Sequence, residues 1–390
     1  MGDKRLYFDY NASAPVRPEA RAAVIETLSA AGNASSVHAE GRAARARIEA
    51  ARVEVATLVG ADLKNVTFTS GGTEANATVL TPDWTRAGKP LPVDLLFVGA
   101  TEHPSVLAGG RFAADAIRTI PVDADGLVDL PALNAMLSQA GREGRRALVS
   151  VMLANNETGA IQPVAEVARI AHEHGALMHT DATQAAGRIP VDIAALGVDA
   201  LTLSAHKLGG PQGVGAIVRA SEELAFRPLI AGGGQEKRLR AGTENSTGIA
   251  GFGAAARAAR ADIARAGLWI EWRDRLLDAM SEAAPVTVFA AGAPRLPQTL
   301  CLGVESIPAE TLVIALDLAG IAVSSGAACS SGKVGPSHVL AAMGVPPGAA
   351  KTAIRVSFGW ETRAEDIDMF QGIWRRVIAR LTQGGNIRAA

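Results

Sequence analysis

Cysteine is nearly absent: the 390 residues include two, Cys301 and Cys329. That excludes a disulfide framework, and their wide separation excludes a CxxC metal or redox pair, so any sulfur chemistry rests on one thiol. Neither sign of charge dominates, since 38 Lys and Arg face 39 Asp and Glu for a formal net charge of −1. A chain so balanced lacks the basic footprint of nucleic-acid binding. No apolar run reaches the roughly 18 residues of a membrane span, and the opening MGDKRLYFDY has no apolar core of signal-peptide length. The expected setting is the cytoplasm, with neither membrane nor nucleic acid as partner. No repeat or low-complexity tract is visible. What is there is ordinary globular material, 48% hydrophobic and 20% charged. It suffices for one large domain and a smaller one.

Between about residues 20 and 220, short apolar runs alternate with segments of helical periodicity. The runs are VTFTS (66–70), LLFVG (95–99), ALVSVML (147–153), ALMHTD (176–181), ALTLS (200–204) and GAIV (215–218). Runs this apolar, separated by helices, predict an α/β fold with a largely parallel, buried sheet. Helices are predicted over 41–60 and 163–175, the latter opening on proline and closing on glycine. Past residue 260 the texture changes: an amphipathic helix over 268–284, a strand at 298–304, a helix over 309–319, and strands near Val323 and at 354–357. The expected division is a large domain of 15–260 and a smaller α+β domain of 1–14 with 261–390.

Nearly every chemically able cluster lies just beyond one of these strands, where ligands of open α/β sheets bind. SGGTEAN (70–76) is a glycine turn opening a helix, a place for a phosphate or simply a capped turn. TEHPSV (101–106) puts His103 at a strand end, as a ring-stacking or proton-moving imidazole or as a structural histidine. ANNETG (154–159) offers Asn155 and Asn156 as donors, or a turn rich in asparagine. Asp181 ends one strand and is followed by Gln184; Ser204 ends the next, followed by His206 and Lys207. Alone, Lys207 is an ordinary surface lysine. Beside a phosphate-binding turn and a carboxylate, it matches the needs of pyridoxal 5′-phosphate (PLP): an amine for the Schiff base, an acid for the pyridinium, and hydroxyl and imidazole donors for the phosphate. Cys329 lies in AVSSGAACSSGKVGPSH (322–338), a segment short of large anchoring side chains and so able to move, as a reactive thiol or an inert loop cysteine. Cys301 sits in an apolar strand pattern and reads as core. Arg355, on a strand, carries a fork suited to a carboxylate or to a salt bridge.

Read together, DYNASAP, SGGTE, TEHPSV, NNETG, TDATQ, SAHK, GPQGVGA, RAGTEN, SSGAACSSG and IRVSFG resemble, in order, the motifs of class-V aminotransferases of PLP fold type I. The resemblance is specifically to cysteine desulfurases of the nitrogen-fixation and iron-sulfur-cluster type, and it runs from about residue 6 to 370. It implies a mainly parallel seven-stranded sheet, PLP as cofactor, L-cysteine as substrate, and a homodimer. By position it implies Lys207 as the Schiff-base lysine and Cys329 as persulfide carrier. His103 would stack on the ring and relay protons, Asp181 pair with the pyridinium, and Gln184 meet the ring hydroxyl. Gly72, Thr73, Ser204 and His206 would hold the phosphate, joined by Thr243 of the partner subunit. Asn156 and Arg355 would meet cofactor and substrate carboxylate. Sulfur would pass to an iron-sulfur scaffold or another acceptor protein, where Cys329 would serve as a transient cluster ligand; no intrinsic metal is expected. Two departures stand out: Ser13-Ala14, where two threonines are frequent, and Gly72, where alanine is common.

Overall fold

The structure, a computed structural model, describes residues 5–326 and 337–386, with side chains described to residue 382. Cys329 and most of the 322–338 segment lie outside the described residues.

Seven strands form the larger sheet: β1 (Val66–Thr69), β2 (Leu95–Gly99), β3 (Ile117–Ile120), β4 (Ala147–Ser150), β5 (Leu177–Asp181), β6 (Ala200–Ser204) and β7 (Gly215–Arg219), in the order β1-β7-β6-β5-β4-β2-β3. Pairing is parallel throughout except that β7 runs antiparallel to both of its neighbours. The exception comes from chain length. Only residues 205–214 join β6 to β7, fewer than the dozen or so that a parallel crossover needs. Helices α1 (Pro18–Leu28), α2 (Ala39–Leu58), α3 (Gly72–Val79), α4 (Pro104–Leu107), α5 (Leu130–Arg142), α6 (Val164–Glu173) and α7 (Ser246–Asp262) accompany this sheet.

Both faces are covered, and the two-residue period of a strand shows it. Leu95 and Phe97 join the core under α2, α5, α6 and α7, whereas Leu96 and Val98 join a second core with Ala75 and Val79 of α3. Such strands read as continuous apolar runs. The edge strand β3 does not: its IRTI has two exposed polar residues, which is why the sequence pattern does not flag it.

The C-terminal third forms a four-stranded antiparallel sheet of β8 (Val286–Val288), β9 (Thr299–Val304), β10 (Ser324–Ser325) and β11 (Ala353–Ser357) in the order β8-β9-β11-β10. Helices α8 (Ala266–Ala283), α9 (Ala309–Leu318) and α10 (Ala364–Asn386) accompany it. Its core gathers Trp269, Trp272, Phe358, Phe370 and Trp374, and Phe8 from the start of the chain packs on Phe370 at 4.8 Å. Leu6–Tyr7 pairs in parallel with Ile321–Ala322, so the N-terminal segment is stitched to the C-terminal third. Cys301 on β9 is fully buried, and burial pushes its thiol up to about 12, as befits an inert core residue.

Candidate active site

The parallel strands end on one edge, and the segments leaving them converge there. Gly72 and Thr73 open α3 behind β1, His103 caps α4 behind β2, Asp181 closes β5, and Ser204 closes β6 just ahead of His206 and Lys207. These residues line one cavity of about 320 Å³ together with Asn156, Gln184 and Arg355, and with Asn11 and Ala12 of the N-terminal segment. The structure thus brings together ten of the residues singled out from the sequence. Thr243 is not among them: it is exposed, beside Ser70 and Arg240 in a separate surface depression.

Asp181 is held from both sides. One carboxylate oxygen accepts the Thr183 backbone N–H at 2.9 Å and the other the Asn76 side-chain amide at 2.8 Å. Asn76 is itself fixed by the Thr202 hydroxyl at 2.6 Å, and Thr202 lies 3.1 Å from His179, whose other ring nitrogen is 2.9 Å from the Ser150 hydroxyl. A chain of buried polar groups therefore runs across β4, β5 and β6 and ends on the carboxylate; each member fixes the rotamer of the next. Burial lowers His179 to about 4, so its ring is neutral near pH 7.

Lys207 is placed by backbone. Its Nζ donates to the carbonyls of Asn11 at 2.6 Å and Ala12 at 2.7 Å. The same Asn11 carbonyl accepts from Gln184 at 2.9 Å, while the Asn11 amide reaches the Thr299 hydroxyl at 3.1 Å. Asn11 thereby links the lysine just past β6 to β9 of the smaller sheet.

Two imidazoles face the cavity, both neutral at ordinary pH. Burial, with Lys207 and His338 adding to it and Asp181 opposing, holds His103 below the usual histidine range. Its Nδ1 accepts the Ser105 backbone N–H at 3.1 Å, so in the neutral ring Nε2 carries the proton. Burial, then Lys207 and Arg188, lowers His206 to about 4.

Arg355 is fully buried yet only partly engaged. One nitrogen of its fork donates to the Asn156 carbonyl at 2.9 Å and another to Asp9 at 2.7 Å, whereas Nε has no partner among the described residues. The guanidinium is thus set in orientation while retaining a donor.

The residues fit PLP. The first turn of α3 presents free backbone N–H groups, and a side chain at Gly72 would come within 3.3 Å of Ser204 Cβ and 3.5 Å of the Thr183 hydroxyl. That hydroxyl is buried and has no hydrogen-bond partner among the described residues, as a donor awaiting an anionic acceptor would be. A fixed carboxylate and an amine complete the set. Sequence reasoning passed over Asn76, Asn11, Thr183 and Arg188. Asn76 carried a usable signal, since it lies four residues beyond Gly72 and so one helical turn along the same face. Asn11 acts largely through its carbonyl, which no residue type announces.

The class-V aminotransferase model matches residues 6–370. A cysteine desulfurase of Cereibacter sphaeroides is 42% identical over 385 residues, covering 97% of each chain. Among solved structures, a NifS-like protein from Rickettsia africae superposes with a TM-score of 0.84 at 34% identity, over 96% of this chain and 99% of that one. The protein SspA, solved in complex with cysteine, superposes with a TM-score of 0.72 at 26% identity, over 90% of this chain and 98% of that one.

Proposed function

This chain belongs to the class-V aminotransferases, a family that works with pyridoxal phosphate, and we propose that it is a cysteine desulfurase: it converts L-cysteine to L-alanine and keeps the sulfur as a persulfide on Cys329. The observation that carries this reading is the meeting of Asp181 and Lys207, at neighbouring strand ends, with a phosphate-competent turn in one cavity.

When bound, PLP supplies an electron sink for the carbanion formed at the substrate Cα. Lys207 would hold the cofactor through its amine and would be the base that takes the substrate Cα proton. Asp181, fixed by Asn76 and Thr183, would pair with the ring nitrogen and keep it protonated. Gln184 would meet the ring hydroxyl and His103 would stack on the ring, with its Nε2 proton available for transfer. Gly72, Thr73, Ser204 and His206 would hold the phosphate. Arg355 and Asn156 orient the substrate carboxylate, and Arg355's pairing with Asp9 limits how far the fork can turn. The Cys329 thiolate attacks the substrate sulfur: an S–S bond forms, the C–S bond breaks, and its electron pair takes up a proton to become a C–H bond of alanine.

We read residues 15–260 as the cofactor domain and 1–14 with 261–390 as the smaller one. The active form on this reading is a homodimer, in which the exposed Thr243 serves the partner's phosphate site. An iron-sulfur scaffold or another sulfur acceptor relieves Cys329 of its sulfur in a cytoplasmic reaction; no helix of the described residues is long and apolar enough to cross a membrane.

The test is alanine and persulfide production from L-cysteine by wild type, Cys329→Ala and Lys207→Ala, with L-selenocysteine in parallel. Both products should vanish in both variants. Alanine from selenocysteine alone, surviving loss of Cys329, moves the assignment to a selenocysteine lyase.

A further inference from the structure

Glu236, Lys237 and Arg238 have φ of 44°, 54° and 69°, the longest run of left-handed residues other than glycine among the described residues. L-residues resist this conformation, so a consecutive run persists only where its surroundings impose it.

The surroundings are two ion pairs. The Glu236 carboxylate receives the Arg52 fork at 2.8 and 2.9 Å and also the backbone N–H of Phe68 at 2.9 Å. Arg52 stacks on the Phe68 ring, 4.8 Å from its centroid. Phe68 belongs to β1, the strand that enters the 70–73 turn. Just past the left-handed run, Arg240 donates to both Glu74 oxygens, at 3.0 and 3.4 Å, and Glu74 accepts the backbone N–H of Ser70 at 2.8 Å. Glu74 lies in the first turn of α3, the helix that leaves the same turn. One segment therefore grips the phosphate-competent turn on both sides, yet neither Glu236 nor Arg240 lines the cavity. Arg240 has a second consequence. An unpaired Glu74 carboxylate would place negative charge in the helix turn that receives a phosphate dianion, and the guanidinium offsets it.

We propose that Glu236 and Arg240 are positioning residues for phosphate binding, bracing the 70–73 turn from outside through Phe68 and Glu74. This rests on the reading of that turn as the PLP phosphate site. The decisive quantity is the ratio of dissociation constants for PLP and for pyridoxal, which lacks the phosphate, measured on the full-length apo-enzyme. Glu236→Gln and Arg240→Gln should each weaken PLP by about tenfold while pyridoxal stays within roughly twofold. Equal weakening of both compounds, or no change in either, overturns the proposal, because a merely structural role does not single out the phosphate. Thr73→Ala is the control on the underlying reading: if it too fails to separate the two compounds, the turn is not the phosphate site and the brace falls with it. Should Glu236→Gln not fold, Arg240→Gln decides alone, since its side chain is 22% exposed and its loss leaves the Arg52–Glu236 pair in place.

Discussion

The orientation of Asp181 depends on the groups that hold its carboxylate, and the dependence is measurable. Removing the Asn76 amide deletes one of its charge-assisted hydrogen bonds and leaves the Thr202 hydroxyl without its acceptor. A hydrogen bond to a charged group contributes about 1.5–3 kcal/mol, so Asn76→Ala should lower kcat by roughly 10- to 100-fold with a smaller change in cofactor affinity. Stopped-flow turnover beside PLP titration separates the two effects. Glu102 gives a second prediction at this scale. It is fully buried, with one carboxyl oxygen on the Met152 N–H at 2.6 Å and the other without a partner among the described residues. Burial raises it well above 4.5; the Met152 bond opposes this and the charge of Asp181 adds to it. A carboxyl whose folded pKa exceeds its unfolded one binds more protons when folded, so its contribution is complete below pH 4.5 and is lost as pH rises toward the folded value. The isosteric Glu102→Gln should therefore match wild type near pH 4.5 and exceed it in urea-unfolding stability by pH 8, the gap widening steadily. A gap that shrinks with pH would contradict the sign.

At the scale of elements, close helix packing replaces propensity as the deciding term. Gly253 of α7 faces Ala51 of α2 so closely that a Cβ there would lie 2.5 Å from the Ala51 Cα. Alanine is the better helix former by about 1 kcal/mol, yet overpacking costs about 1–3 kcal/mol. Gly253→Ala should lower the Tm, and a rise would show that α2 and α7 can separate freely. The same contest explains what the sequence made legible. Six of the seven sheet strands are apolar runs because both faces are buried, and their ends located Asp181, Ser204 and Lys207. The polar edge strand β3 gave no such signal, and the antiparallel sense of β7 was set by the length of its connection rather than by its residues. The site was legible wherever a side chain with evident chemistry stands just past a strand. It was not legible where backbone carbonyls act, as at Asn11, or where strain does, as at Glu236. Neither is encoded in residue type.

For the whole molecule, the exposure of Thr243 sets a subunit test. If it completes the partner's site, mixing Lys207→Ala with Thr243→Ala chains should form heterodimers in which one site has both residues intact. Cofactor tightly bound and activity should then reappear on mixing two weak preparations, and their absence would place Thr243 outside the partner's site. A last consequence concerns the order of synthesis. The carbonyls that hold Lys207 belong to Asn11 and Ala12, and Asn11 is fixed in turn by Thr299 and Ser357, the latter 346 residues downstream. A nascent chain can complete the larger sheet while the anchor of its own lysine is still untethered. Translation adds about 5–20 residues per second, so ribosome-bound intermediates spend seconds with the lysine unplaced. Chains stalled near residue 290 should fold their first half but fail to take up PLP, whereas released chains should acquire it, making cofactor capture a checkpoint on finished translation.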